Sequence, residues 1–259
     1  MLPYIVINNI KFPTYFVFAE LGICITAAML AKLLVEQGMF RKYIFKIIFS
    51  TIGMLIGAKM FGILSAGIGI LYQNKIFKFE ECFRKSGIVY LGGVSGFSIT
   101  LWGICKIKKV SFRKIENILA IVIPLFHVFG RIGCYLGGCC YGKEYNGWCA
   151  IPYHIAENEK LIMRFPTQLL EASFEMGLFV TFYFYYRIKQ DKYDGKYFKC
   201  YLASYAAFRF WIENYRGDNV RGVYGVISFS QIVCICIMLF LVINYAVIRR
   251  NDNERKRDT

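Results

Sequence analysis

The sequence is poor in the residues that make soluble surfaces and metal sites. Of 259 residues only 17 are Asp or Glu, and only His127 and His154 are histidines. No two cysteines are spaced C-x2-C, so the paired-cysteine zinc patterns are missing. The N-terminal stretch MLPYIVINNIKFP has no basic n-region and no small-residue cleavage site, so a removable signal peptide is not expected. There is no internal repeat and no low-complexity segment, which excludes a solenoid. No polar stretch is long enough to form a soluble module.

What is present is apolar. Hydrophobic residues make up 57% of the chain and aromatic residues 18%, with a mean hydropathy of +0.43. Seven apolar runs, at about 15–36, 43–71, 87–106, 115–136, 167–187, 197–213 and 227–248, approach the roughly 20 residues that cross a bilayer core. The expected fold is all-α: one integral membrane domain over 1–259, with about seven transmembrane helices and a basic tail at 249–259. The second run is long, and is expected to be tilted, broken at Gly62 or Gly67, or partly interfacial. The net charge of +15 would suggest nucleic acid in a soluble protein. Here the cations cluster in short loops, which points to topology and anionic lipid instead and excludes a nucleic-acid partner.

Those loops also orient the chain. One set of ends carries 17 Lys and Arg, from Arg41 through Lys114 and Lys196 to Arg257; the opposite set carries ten. The positive-inside rule then places the N-terminus outside and the C-terminus in the cytoplasm. In that frame Tyr15, Gly92, Arg131, Gln168, Glu171, Arg209, Glu213 and Gln231 all fall in the outer half of their runs. Charges inside a membrane cost roughly 2.5–3.5 kcal/mol each on insertion scales, and are usually kept for a pathway or a site. A polar cavity open to the outer leaflet is therefore expected.

The stretch HVFGRIGCYLGGCCYG, 127–142, concentrates the candidates. Arg131 between Gly130 and Gly133 suits a phosphate, because its planar fork makes two parallel charge-assisted bonds; a snorkelling arginine near a helix end is the competing reading. His127, four residues earlier on the same face, is a candidate base or an interhelical hydrogen-bonding group. Arg209 and Glu213, also i,i+4, are placed to pair, with Arg216 as a rim charge. Ten cysteines are spread mostly through apolar runs, where cysteine acts as a small hydrophobe. Only Cys134, Cys139, Cys140 and Cys149 group locally, with His154 in the same loop. For them packing is favoured over a metal site or a reversible disulfide.

The segment GRIGCYLGGCCYG resembles the signature of the prolipoprotein diacylglyceryl transferases, roughly G-R-x-G-N-F-x-N-x-E-x-x-G. PTYFVFAELG, GAKMFGIL, GIVYLGGVSG, FPTQLLEASFE, FRFWIENYRGD and VISFSQIVCICIM resemble further segments of that family, in its order and over nearly the whole chain. The resemblance implies a seven-spanning enzyme of the bacterial plasma membrane in lipoprotein biosynthesis. Such enzymes move the diacylglyceryl group of phosphatidylglycerol to the lipobox cysteine thiol of a prolipoprotein. It implies catalytic roles for Tyr15, Arg131, Arg209 and Glu213, with His127 added as the candidate base. Substrate binding is expected at Arg131, Gly133, Gly142, Gln168, Arg209 and Arg216. No metal and no organic cofactor is required by this chemistry. The chain departs from the pattern at Cys134 for asparagine, Cys139 for glutamate, and Leu91 and Phe165 for two histidines. The alternatives are a transferase of the same fold with a different acceptor, and a carrier or thiol-based redox or metal-binding protein.

Overall fold

A computed structural model describes residues 2–72, 79–154, 161–188, 196–218 and 223–255. Eight helices and three short antiparallel hairpins are present among them. The seven longer helices are α1 (Thr14–Glu36), α2 (Phe40–Tyr72), α4 (Tyr90–Ile107), α5 (Arg113–Gly137), α6 (Thr167–Ile188), α7 (Lys196–Ile212) and α8 (Phe229–Arg255). They fall on the seven apolar runs. The short α3 (Phe79–Lys85) is an addition that periodicity did not reveal. Four helices, α1, α2, α5 and the Phe229–Val247 part of α8, are long and apolar enough to cross a membrane. Of the loop cations used for orientation, Lys75, Lys78, Lys160, Lys189, Lys192, Arg221, Lys256 and Arg257 lie outside the described residues.

α2 is one continuous helix of 33 residues, with no break at Gly62 or Gly67. At 1.5 Å per residue it is about 50 Å long, more than the roughly 30 Å of a bilayer core. Its glycines serve packing. A Cβ on Gly57 would meet the Gly92 carbonyl oxygen of α4 at 2.4 Å, and one on Gly96 would meet the Gly53 oxygen at 2.2 Å. The two backbones touch directly, as small-residue interfaces between apolar helices allow. Gly92, expected near the site, is thus part of this seam.

α5 lies at the centre of the molecule. From Ile115 to Val128 most of its residues are buried, against the outward-facing chains of α1, α2 and α8. Pro124 sits within it and leaves the Ala120 carbonyl without its helical donor. The deep core is aromatic and aliphatic: Leu33, Leu34, Tyr43, Leu101, Ile118, Tyr186 and Tyr201 are essentially inaccessible. Tyr43 closes one end of it by donating to the Ser111 carbonyl at 2.7 Å.

The connections place the hairpins together at the other end. β1 (Tyr4–Ile7) and β2 (Ile10–Pro13) precede α1. β3 (Ile151–His154) and β4 (Leu161–Arg164) lie between α5 and α6. β5 (Val223–Tyr224) and β6 (Ile227–Ser228) lead into α8. The starts of α1, α4, α6 and α8 and the ends of α2, α5 and α7 share this end. The candidate site lies there.

Substituting Gly57 by Val is expected to force α2 from α4 and destabilise the protein by about 1–3 kcal/mol. Gly103→Ala, where an added Cβ meets nothing within 4 Å, is expected to leave the unfolding temperature in detergent unchanged. Equal effects of the two would remove the backbone-contact reading.

Candidate active site

A cavity of about 560 Å³ opens among the helix ends, lined by residues of α1, α2, α4, α5, α7 and α8 and of the turns after α5 and α7. Tyr15, His127, Arg131, Arg209 and Arg216 of the sequence-derived candidates line it. Tyr15 stands at its edge and is 40% exposed. Leu91, where the family pattern has a histidine, lines it as an apolar wall.

The arginines are fixed by carboxylates from two other elements. Arg131 Nη2 pairs with Glu171 Oε2 at 2.6 Å, and Arg209 Nη1 pairs with the other oxygen of that carboxylate at 2.8 Å. Arg209 Nη2 also pairs with Glu213 Oε2 at 2.7 Å, the i,i+4 pair that the spacing predicted. Glu213 lies in a 3-10 turn, Glu213–Tyr215, that ends α7. All four side chains are buried, so each charge depends on its partner. Arg131 commits Nε and Nη2 to the protein. Its Nη1 has no protein partner among the described residues, and the side chain borders the cavity.

Both ring nitrogens of His127 meet protein groups. Its Nε2 accepts from Arg131 Nε at 3.1 Å. An arginine can only donate, so that nitrogen carries no proton. The Nδ1 proton is then directed to Glu175 Oε1 at 2.9 Å. Tyr90 stacks on the ring at 3.8 Å, and Tyr205 meets it edge-on at 5.2 Å. Both nitrogens are thus committed to protein, one of them to Arg131. The i,i+4 relation to Arg131 was legible; its consequence was not.

Three other expected substrate contacts lie behind the cavity lining. Gly133, Gly142 and Gln168 do not line the cavity. Gly133 is a close approach, where an added Cβ would lie 3.1 Å from Phe18 Cβ and 3.3 Å from the Tyr15 oxygen. Gly142 is the crossing point of a small cover. Lys143 N donates to the Tyr215 oxygen at 2.8 Å, Gly217 N to the Tyr141 oxygen at 2.9 Å, and Phe165 N to the Lys143 oxygen at 3.0 Å. A Cβ on Gly142 would meet the Phe165 oxygen at 2.2 Å, so only glycine fits. Gln168 Nε2 donates to the Cys139 oxygen at 2.7 Å and to the Tyr153 hydroxyl, and Thr167 Oγ1 donates to the Cys140 oxygen at 3.1 Å. Phe165 stacks on Tyr215 within the cover.

Arg216 is no loose rim charge. It is buried, and forks onto Asp218 with Nε to Oδ1 at 2.8 Å and Nη2 to Oδ2 at 2.6 Å. Beside it, Cys140 follows the end of α5. Its thiol is held well below the usual thiol range by hydrogen bonds from the Cys134 and Cys139 thiols, and further by Arg216 and Arg131, against the effect of burial. The neighbouring groups to which sequence reasoning gave no role are Glu171, Glu175, Tyr90, Tyr205 and Asp218. The signal for the first two was present: in QLLEASFEMGLF the carboxylates recur at i,i+4 inside an apolar run, where each demands a partner.

Glu171→Gln removes the charge that two buried arginines share. It is expected to destabilise the protein by about 3–5 kcal/mol, as the breaking of a buried pair does. The thermal unfolding of the detergent-solubilised protein measures this. The double variant Glu171→Gln/Arg131→Met is expected to regain part of the loss, because the arginine left without a carboxylate partner is gone while Arg209 keeps Glu213.

A scan against protein-family models matches residues 4–247 to the prolipoprotein diacylglyceryl transferase model. A protein named phosphatidylglycerol–prolipoprotein diacylglyceryl transferase from Clostridium tetani (strain Massachusetts / E88) is 29% identical over 255 residues, covering 96% of each chain. A second, named as transferase 2, from Clostridium perfringens (strain 13 / Type A), is 26% identical and covers 93% of each. A third, from Chlorobaculum tepidum, is 28% identical over 72% of this chain and 67% of its own. With arginines of α5 and α7 converging on one carboxylate at the cavity, and a match that runs through all seven long helices, this chain belongs to the prolipoprotein diacylglyceryl transferase family.

Proposed function

We propose that this protein transfers the diacylglyceryl group of phosphatidylglycerol to the lipobox cysteine thiol of a prolipoprotein, releasing glycerol phosphate. The reading places it in the bacterial plasma membrane as one integral domain of seven spans. Its N-terminus and cavity are outside, and its basic tail at 249–259 is in the cytoplasm. The observation that carries it is the pair of arginines clamped on Glu171 at the cavity wall, in a chain with this family match.

The reaction forms a carbon–sulfur bond at the glycerol carbon while the bond from that carbon to the phosphate oxygen breaks. Negative charge grows on the departing phosphate. Arg131, with one nitrogen left over by its protein partners, is the group placed to receive that charge. Arg209 holds Glu171 in position, and with Glu213 it keeps the local charge balanced. Because the arginine is set by His127 and Glu171 before substrate arrives, little reorganisation is needed at the moment of reaction. Arg216 and Asp218 border the same cavity and provide a second polar wall for the headgroup. Tyr15 stands at the edge, where a membrane-tethered acceptor would approach.

With phosphatidylglycerol carrying labelled acyl chains and a lipobox peptide, the purified protein is expected to yield a labelled thioether. Arg131→Ala is expected to lower the rate by about 10²–10³-fold, the usual cost of one oxyanion-stabilising donor. Unchanged product from that variant overturns the reading. For His127→Gln, turnover is expected to fall while the pH–rate profile keeps its shape, since His127 positions Arg131 and does not carry the proton. The loss of one limb of the profile would restore the base.

A further inference from the structure

The phosphate machinery leaves one group of reactive side chains unused. Cys134, on the last turn of α5, and Cys139 and Cys140 beyond it bring their three Sγ atoms within 4.8 Å of one another. All three line the cavity. The spacing C-x4-C-C conceals this, because the convergence depends on backbone. Gly138 (φ 76°) and Cys140 (φ 58°) both take left-handed conformations, and together they fold the chain back over the helix end. The turn is held firmly. Cys139 N donates to the Cys134 oxygen at 3.1 Å, and the side chains of Gln168 and Thr167 hold the carbonyls of Cys139 and Cys140. The ten cysteines are free thiols.

We propose that Cys134, Cys139 and Cys140 form a three-thiolate site for a zinc-type divalent ion, with an open fourth position that faces the cavity and takes the acceptor thiol. The proposal rests on the transferase reading above. Thiolates select zinc and similar soft ions. Tetrahedral zinc–sulfur bonds of about 2.3 Å set sulfurs roughly 3.8 Å apart, within a small adjustment of the observed group. Among the described residues no fourth His, Cys, Asp or Glu joins the three. His127 has spent both nitrogens, and Cys149 lies apart. Three protein ligands with one position open is the arrangement of catalytic rather than structural zinc. Three thiolates and one divalent ion carry a net negative charge, and the cations that act on Cys140 are Arg216 and Arg131, each also paired with a carboxylate.

The site answers a need of the chemistry. A thiol must become a thiolate to attack carbon, and a thiol that coordinates a metal is deprotonated outright. The acceptor proton leaves to water as the sulfur binds. The sulfur electron pair then forms the bond to the glycerol carbon. The carbon–oxygen bond to phosphate breaks, and its electron pair departs with glycerol phosphate beside Arg131.

The test uses the full chain in detergent, purified without chelator and analysed for metal by mass spectrometry. The expected ratio is close to one zinc per chain, lost in Cys139→Ser and in Cys140→Ser. Cobalt-loaded wild-type protein, which needs no variant to fold, is expected to show thiolate-to-cobalt charge-transfer absorption. Its visible bands should shift on adding a lipobox peptide, but not on adding the same peptide with serine for cysteine. Absence of metal with three reactive thiols, a disulfide among them, or visible bands blind to the peptide each overturns the proposal. Labelled thioether formed by metal-free protein removes the site and leaves the transferase. A thiol-responsive metal site in a protein that makes no thioether removes the transferase reading instead.

Discussion

The Glu171 carboxylate holds the active end of this molecule together. It is buried, and its two oxygens meet arginines from two different helices. A charge removed from water in an apolar bundle is tolerable only when paired with good geometry. The carboxylate therefore fixes the register of α6 against both α5 and α7. From that one point the rest follows outward: Arg209 reaches Glu213, Arg131 reaches His127, and His127 reaches Glu175. The chain of contacts returns to α6 one helical turn beyond where it began. Tyr90 and Tyr205 cover the imidazole and keep water from competing for its nitrogens.

Much of this was legible in the sequence, and the reasons differ by feature. Long apolar runs marked the long helices, because an unbroken apolar stretch has few other ways to bury itself. The Arg209–Glu213 pair was legible because i,i+4 neighbours share a face whatever the tertiary fold. The role of His127 was not. Its neighbour Glu175 lies 48 residues away, and only the packing of α6 on α5 brings them to 2.9 Å. Gly142 was expected to contact substrate, and it sits at a close backbone crossing; a motif glycine looks the same whether a phosphate or another backbone needs the space. The cysteine group was visible as composition and invisible as geometry. Its convergence needs two left-handed residues, one of them not glycine, and spacing alone does not disclose backbone handedness.

The two ends of the bundle are built on opposite terms. One is close-packed and aromatic, with Tyr43, Tyr186, Tyr197 and Tyr201 filling the space between helices. The other is polar, glycine-rich and covered by three hairpins and the crossing at Gly142. The backbone contact between α2 and α4 spans about one turn of each helix, through Gly53 and Gly57 on one and Gly92 and Gly96 on the other.

The closed lower core has a consequence for the lipid. A cavity of about 560 Å³ is of ordinary size for a small polar ligand, and the core away from it is filled with large buried side chains such as Tyr43, Tyr186 and Tyr201. On the transferase reading, the headgroup and the first atoms of a glycerol would occupy this space, and the tails would lie in the surrounding bilayer against the outward apolar faces. Such a protein reads a polar label and ignores what hangs from it. The fatty acids that end up on its product would then mirror the composition of the membrane around it, so that a cell adjusting its lipids to temperature would adjust its lipoprotein anchors with them.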